Sequence, residues 1–451
     1  MYLGGKMQNI REILDDIYYV GVNDRRIDRF ENMFPVENGV SYSSYVIKDE
    51  KNILLDSVEA GFTRQYLENI EAALDGEDLD YIVVHHMEPD HCRNIDFCMR
   101  KWPNAKLVGN AKTFKFYEQF YNDEFKDRYY EVKEGDELNL GKHNLKFVMA
   151  PMVHWPEVMM SYETNNKILF SADAFGSFNA IEGHLKAKNV MYKGDWLDQA
   201  RRYYINIVGK FGKQVQAVFN KVSDLEINAI LPLHGPVYDD PESVAFIMDK
   251  YNKWSTYTPE EKGIVIVYSS MYGDTEQAAD ILAKELAELG LTEDIKIYDV
   301  SDVDPSYAIA ECHKYSNAVF APINYNSGLY YKMEAFLQEL AGTSYQNRHI
   351  SFLNNWSWGG TSLKTSKEIL DNGKHTYVGE DVLINSSVKE EQVDQIKELI
   401  KKIKEPSWLL YFFIFLIIFK APSSYGGYFN FISKLDLACI IDFWLEKFLN
   451  P

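Results

Sequence analysis

Along residues 17–57 the apolar positions come in short aromatic and β-branched runs broken by Gly and Asn, a pattern that predicts antiparallel strands. Val40-Ser-Tyr-Ser-Ser-Tyr-Val-Ile47 and Asn52-Ile-Leu-Leu-Asp-Ser57 are the clearest of these runs. The spacing turns helical over residues 62–74, and Tyr81, Ile82, Val83 and Val84 then predict a short interior strand after the polar stretch 76–80. A strand–helix unit covers 107–120, an apolar run fills 145–150, residues 195–222 read as mainly helical, and 229–232 is one more short strand. Residues 241–262 are charged and partly helical and end in Thr258-Pro-Glu-Glu-Lys-Gly263, which makes 251–262 a linker. Beyond it apolar runs at 264–269, 295–300, 318–322, 350–354 and 377–384 alternate with helical runs, the last at 389–404. Five strand–helix units in succession predict a doubly wound, five-stranded parallel sheet.

With 451 residues the chain divides into two or three domains, and 46% hydrophobic residues suffice for substantial cores. A net charge of −20 argues against a nucleic-acid partner, which needs basic patches. Cys92, Cys98, Cys312 and Cys439 form no CxxC pair, so no disulfide framework is expected and a reducing cytoplasm is the simpler setting. The first residues lack the apolar core of a signal peptide.

The chemistry concentrates in Tyr81-Ile-Val-Val-His-His-Met-Glu-Pro-Asp-His91, where a buried-looking strand runs into a loop of ligand-type side chains. In an extended loop residues two apart point the same way, so His86, Glu88 and Asp90 are expected to converge, with Pro89 stiffening the segment and His91 adding a second imidazole. A polar turn with a chance histidine pair is the bland alternative, and four ligand types within six residues weigh against it. The segment resembles the H-x-[HE]-x-D-H signature of the metallo-β-lactamase-like superfamily, whose fold is an αββα sandwich. The remaining ligands which that resemblance calls for follow in order: His154 in Ala150-Pro-Met-Val-His-Trp-Pro156, Asp173 in Ile168-Leu-Phe-Ser-Ala-Asp-Ala-Phe-Gly176, and His234 in Ile230-Leu-Pro-Leu-His-Gly-Pro236. Zinc hydrolases of the superfamily typically carry His where this chain has Glu88. Four imidazoles and three carboxylates without a thiolate suit iron, and Asp173 is the natural bridge between two ions.

In the second half, Tyr268-Ser-Ser-Met-Tyr-Gly-Asp-Thr-Glu276 resembles the phosphate loop of flavodoxins, with hydroxyls and backbone N–H groups at a helix start. The implied FMN contacts there are Ser270, Met271, Tyr272, Gly273, Asp274 and Thr275. Two further loops at strand ends would hold the ring: Pro322, Ile323, Asn324, Tyr325, Asn326 and Gly328, then Asn355, Trp356, Ser357, Trp358, Gly359 and Gly360. Asp274 departs from expectation, because an acid beside a phosphate weakens binding unless it points away.

Together the two halves resemble the flavodiiron proteins, also called A-type flavoproteins, over about residues 8–404: a metallo-β-lactamase-like domain at 8–250, the linker at 251–262 and a flavodoxin-like domain at 263–404. The resemblance implies reduction of dioxygen to water or of nitric oxide to nitrous oxide at a non-haem diiron centre fed by FMN. His86, Glu88 and His154 would hold one iron and Asp90, His91 and His234 the other, with Asp173 between them. Glu157 would orient a ligand imidazole. The cysteines cannot assemble a rubredoxin, so a separate rubredoxin or similar carrier is the expected donor, and a head-to-tail dimer, or a dimer of such dimers, is expected to bring one subunit's FMN beside the other's irons. The rival is a zinc hydrolase with an accessory flavodoxin domain. Residues 405–451 fit neither domain. Their apolar run 408–419 is shorter than the roughly 20 residues of a membrane span, which leaves a surface anchor, a docking segment or, as expected here, a stretch without evolved structure, such as read-through of a lost stop codon.

Overall fold

Side-chain alternation along the short strands decides the architecture of the first half. In the computed structural model, which describes residues 9–122, 124–191, 195–289 and 294–404, a seven-stranded sheet runs Arg11–Leu14, Ile17–Tyr19, Tyr45–Ile47, Ile53–Leu55, Tyr81–Val83, Lys106–Gly109, Tyr129–Glu131. A second, five-stranded sheet runs Glu137–Asn139, Asn144–Met149, Met159–Glu163, Ile168–Phe170, Ala229–Leu231. Ile53, Leu55, Tyr81 and Val83 point into a core shared with Leu145, Phe147, Ile168, Phe170 and Leu231 of the other sheet. Leu54 and Ile82, one residue out of phase, pack instead with Tyr66, Ile70 and Leu74 of the helix Thr63–Leu74. Both faces of each strand are therefore apolar, and the period of two assigns one to the partner sheet and the other to a helix. Helices Gly212–Val222 and Pro241–Ser255 cover the second sheet, with Val215, Val218 and Tyr251 facing Leu169 and Met160. The result is the αββα sandwich.

Strand direction then gathers the ligand-type residues. Asn144–Met149 and Ile168–Phe170 each pair antiparallel with Met159–Glu163, and Ala229–Leu231 pairs parallel with Ile168–Phe170. The three strands preceding His154, Asp173 and His234 thus end on one edge of the sheet. A hydrogen bond from Met159 N to the His85 carbonyl, 3.1 Å, ties that edge to the end of Tyr81–Val83.

The second half is a parallel sheet in the order Ile295–Asp299, Glu261–Tyr268, Tyr315–Ala321, His349–Trp356, followed by Thr376–Tyr377 and Val382–Asn385, both parallel to His349–Trp356. The expected fifth strand at 377–384 is two pieces separated by a turn in which Gly379 has φ 72°, so six strands fill five positions. Strand order reverses between Glu261–Tyr268 and Tyr315–Ala321, and an open parallel sheet binds its ligand at the strand ends beside such a reversal.

Residues up to Ile400 form one compact unit. Glu260, its side chain fully buried, accepts from Arg201, from Lys250 Nζ at 2.9 Å and from Trp254 Nε1 at 2.6 Å, so the start of the second sheet is bonded to two helices of the sandwich. Arg202 lies over the Tyr307 ring at 3.8 Å and donates to Ser306 Oγ at 2.9 Å and to the Pro35 carbonyl at 2.8 Å. No helix among the described residues is long and apolar enough to cross a membrane, and the expectation for residues 405–451 lies outside them.

Candidate metal centre and flavin pocket

The segment after Tyr81–Val83 is only half extended. Glu88 has extended backbone angles, but Pro89 opens a helical turn, Pro89–Cys92, that carries Asp90 and His91. Proline suits the first helical position, where its missing N–H has no partner to lose. His86, Glu88 and Asp90 therefore do not share one side as an extended loop would have it. Asp90 turns away with His91.

The seven residues fall into two buried sets, His86, Glu88, His154 and Asp173 in one, and Asp90, His91 and His234 in the other. In the first, His154 Nε2 is 3.0 Å from Glu88 Oε2, 3.1 Å from Asp173 Oδ2 and 3.3 Å from His86 Nε2. In the second, His91 Nε2 is 2.9 Å from His234 Nε2 and 3.3 Å from Asp90 Oδ2. Asp173 joins them, its Oδ2 facing the first set and its Oδ1 lying 3.0 Å from His91 Nε2 and 3.6 Å from His234 Nε2. Gly176 permits this closeness, because a Cβ there would sit 3.0 Å from the Tyr203 ring and 3.3 Å from His234 Cβ.

Other groups fix the far side of each ring. Glu157 Oε1 accepts from His86 Nδ1 at 2.8 Å and from Met87 N at 2.9 Å, and the Ser41 carbonyl accepts from His234 Nδ1 at 2.8 Å. Both Nε2 atoms are thereby left to the pocket. His85 faces the other way: its Nδ1 is 2.5 Å from Asp56 Oδ2 and its Nε2 2.7 Å from Ser161 Oγ, a buried clamp that pins the strand end. Phe30, Tyr42 and Tyr203 wall the second set, each ring within 5.8 Å of the His234 ring. Glu31, on the tip between strands Arg29–Phe30 and Phe34–Pro35, lies beside Glu88, and burial together with that like charge pushes its carboxyl up.

In the second half a pocket of about 250 Å³ opens at the strand ends. Ser270, Met271, Tyr272, Asp274 and Thr275 line it with Ile323, Asn324, Tyr325, Asn326, Asn355, Trp356, Ser357 and Trp358. Gly273, Pro322, Gly328, Gly359 and Gly360 do not. Gly273, with φ 95°, instead caps the helix Asp274–Glu288, and Gly359 takes φ 70° in the aromatic loop. Ser327 and Ser386 line the pocket without having been expected.

Comparison with known proteins joins these two sites in one architecture. Residues 40–235 match the ODP family beta lactamase model and residues 266–366 the flavodoxin model. An uncharacterized protein of Methanocaldococcus jannaschii is 30% identical over 399 residues, 88% of this chain and 98% of that one. The anaerobic nitric oxide reductase flavorubredoxin of Pectobacterium atrosepticum is 29% identical over 81% of this chain and 71% of its own. Two solved structures superpose with TM-scores of 0.81 at 25% identity: rubredoxin oxygen:oxidoreductase of Desulfovibrio gigas, over 88% of this chain and 98% of that one, and the flavodiiron protein of Giardia intestinalis, over 88% and 97%. The chain belongs to the flavodiiron protein family.

Flavodiiron proteins carry FMN and two irons, and the side chains here fit both. An ion with bonds of roughly 2.1 Å sets neighbouring donors about 3.0 to 3.4 Å apart, close to the 2.9 to 3.4 Å found within the two sets. Asp90 Oδ1 and Oδ2 and Asp173 Oδ1 are buried without hydrogen-bond partners, as acceptors awaiting cations would be. The electrostatics agree. Burial alone would lower the His86 pKa, but Asp173, Glu157 and Glu88 raise it well above the ordinary value. His91 and His154 are likewise driven up to about 9 against the effect of burial, His91 by Asp90 and Asp173, His154 by Asp173 and Glu88. Asp173 is held far below the carboxylate range despite burial, by His91 and His86. The pocket is thus an anionic well that demands compensating positive charge. In the flavin pocket the buried Asn324 Nδ2 has no acceptor, while Asn324 Oδ1 accepts from Ser362 N at 3.1 Å, which leaves the amide donor for a ring edge.

Sequence reasoning missed Asp56, His85, Ser161 and Glu31. Asp56 did carry a signal, since an acid closing the apolar run 53–55 is a buried charge in need of partners. Glu31 carried none, because strands of two residues leave no periodicity. Cys92 donates from Sγ to the Met87 carbonyl at 3.3 Å and faces the core, while Arg93 leaves the pocket to lie over the Phe120 ring at 5.5 Å.

Proposed function

We propose that this flavodiiron oxidoreductase reduces dioxygen to water, nitric oxide to nitrous oxide, or both. The observation that carries the reading is the shared carboxylate, since Asp173 offers one oxygen to each of two donor sets in a chain that also holds a flavin pocket. His86, Glu88 and His154 hold one iron, Asp90, His91 and His234 the other. Bound there, the iron pair and FMN together store the four electrons that complete reduction of dioxygen consumes.

The chain's own residues do the rest. Glu157 and the Ser41 carbonyl hold two imidazoles in the tautomer that presents Nε2. Phe30, Tyr42, Tyr203 and Trp155 surround the ligand imidazoles with apolar rings, which limits water and favours a small uncharged gas. Each set brings two imidazoles and a carboxylate of its own, which keeps an ion bound in more than one oxidation state.

A separate rubredoxin-type carrier supplies the electrons, and a head-to-tail dimer, alone or paired with a second, sets one subunit's flavin beside its partner's metal pair in the cytoplasm. The relatives named for rubredoxin support the donor. Exposed Met271, Tyr272, Tyr325 and Trp358 around the flavin mouth support an interface there.

The test is anaerobic stopped-flow on the full chain loaded with iron and FMN, reduced chemically and mixed with each gas. Flavin reoxidation coupled to gas consumption is expected, and Asp173→Asn should abolish the coupling. A zinc-loaded chain that hydrolyses a thioester or lactam and consumes neither gas would replace this reading with that of a hydrolase.

A further inference from the structure

Among the described residues lining the flavin pocket only Asp274 is charged, and it is negative. It opens the helix Asp274–Glu288, where unpaired N–H groups and the helix dipole favour an anionic ligand, and no described lysine, arginine or histidine lines the pocket beside it. The neighbouring donors are neutral and already organised: Ser270 Oγ accepts from Gly273 N at 3.0 Å, and Thr275 Oγ1 accepts from Asn355 Nδ2 at 3.1 Å. A flavin phosphate held by this turn carries between one and two negative charges at neutral pH. It therefore meets a fixed carboxylate of its own sign and no lysine, arginine or histidine among those lining residues.

We propose that Asp274 is a specificity-determining residue of the flavin site. Its carboxylate opposes the phosphate, so the chain gains less from FMN over uncharged riboflavin than the same loop with an amide would. The helix terminus still draws the phosphate in; Asp274 sets how strongly. The inference rests on the FMN reading of the pocket.

The experiment uses the full chain with its metals retained and its flavin removed, titrated with FMN and with riboflavin through quenching of flavin fluorescence. Asp274→Asn, nearly isosteric, is expected to tighten FMN roughly tenfold, the order expected of one like-charged neighbour in a partly solvated site, while riboflavin moves less than about twofold. Asp274→Ser should act in the same sense, and the gap from wild type should shrink in high salt. Glu276→Gln, in the same turn but outside the pocket lining, should move neither flavin by more than about twofold.

An unchanged or weaker FMN affinity in Asp274→Asn overturns the proposal. So do equal tightening of both flavins, an effect of Glu276→Gln as large as that of Asp274→Asn, or restoration of wild-type affinity by magnesium to the Asp274→Asn level, which would make the carboxylate a cation partner. Failure of every form to bind either flavin would remove the flavin assignment itself, a result distinct from the others.

Discussion

Glu157 offers the sharpest test of how the metal centre is held. Its carboxylate is fully buried, and one oxygen accepts from both His86 Nδ1, 2.8 Å, and Met87 N, 2.9 Å. Truncation to alanine removes a charge-assisted hydrogen bond of about 1.5 to 3 kcal/mol from the ring and strands a buried amide N–H. At about 1.4 kcal/mol per decade this weakens the ion on His86, Glu88 and His154 by roughly 10- to 100-fold, the range typical of partners that orient ligand imidazoles. Glu157→Gln keeps an acceptor oxygen and loses only the charge, so its cost should fall near the lower end. The loss should be selective, because His234 of the other set is oriented by the Ser41 carbonyl instead. Competition with a graded series of chelators, read by iron content and by the visible bands of the cobalt-substituted chain, measures both affinities. Glu157→Ala should release one ion well before the other. Parallel release of both ions, or retention within about threefold of wild type, would refute the orienting role.

Glu260→Gln should destabilise the fold by roughly 3 kcal/mol at pH 7, since it removes the buried carboxylate shared by Arg201 and Lys250 and leaves Arg201 only the half-exposed Asp198. Arg201 and Lys250 outweigh burial and hold the Glu260 carboxyl at about 2 against an ordinary 4.5, so its contribution is complete above about pH 5 and fades as pH falls toward 2; urea unfolding should show the gap between variant and wild type roughly halved at pH 3, and a pH-independent gap would exclude this origin. Tyr272→Ser with Trp358→Ser should shift sedimentation of the full chain from dimer toward monomer and slow gas consumption more than flavin reduction. An intact dimer with normal turnover would place the interface elsewhere.

The candidate ligands were legible because metal chemistry concentrates rare residue types at strand ends, and four of the seven sit within six positions, 86 to 91. The backbone carrying them was less so. Two-residue spacing suggested one extended loop, whereas Pro89 begins a helical turn, and it is this change of path that splits the segment between two donor sets. Strands of three residues such as Tyr81–Val83 and Ile168–Phe170 could be read as buried, but their assignment to opposite sheets emerges only from which alternate side chains share a core. In the flavin half, regular alternation exposed the parallel sheet, while the break near Gly379 and the arrival of Ser386 at the pocket depend on a long-range pairing with His349–Trp356 that no local pattern encodes.

Ligand type and ligand support obey different rules, and this explains the unevenness. A ligand must be His, Asp or Glu, so composition betrays it. Its support can be any acceptor the fold happens to supply: a carboxylate from Glu157 for His86, a backbone carbonyl from Ser41 for His234. A carbonyl leaves no trace in the sequence of side chains, and Ser41 lies 193 residues from the ring it fixes. The two halves of the centre are therefore alike in their donors and unlike in what stands behind them. Behind the ring of His86 stands a full negative charge and behind that of His234 only a carbonyl dipole, so the two donor sets differ in the partners of their imidazoles rather than in the imidazoles themselves.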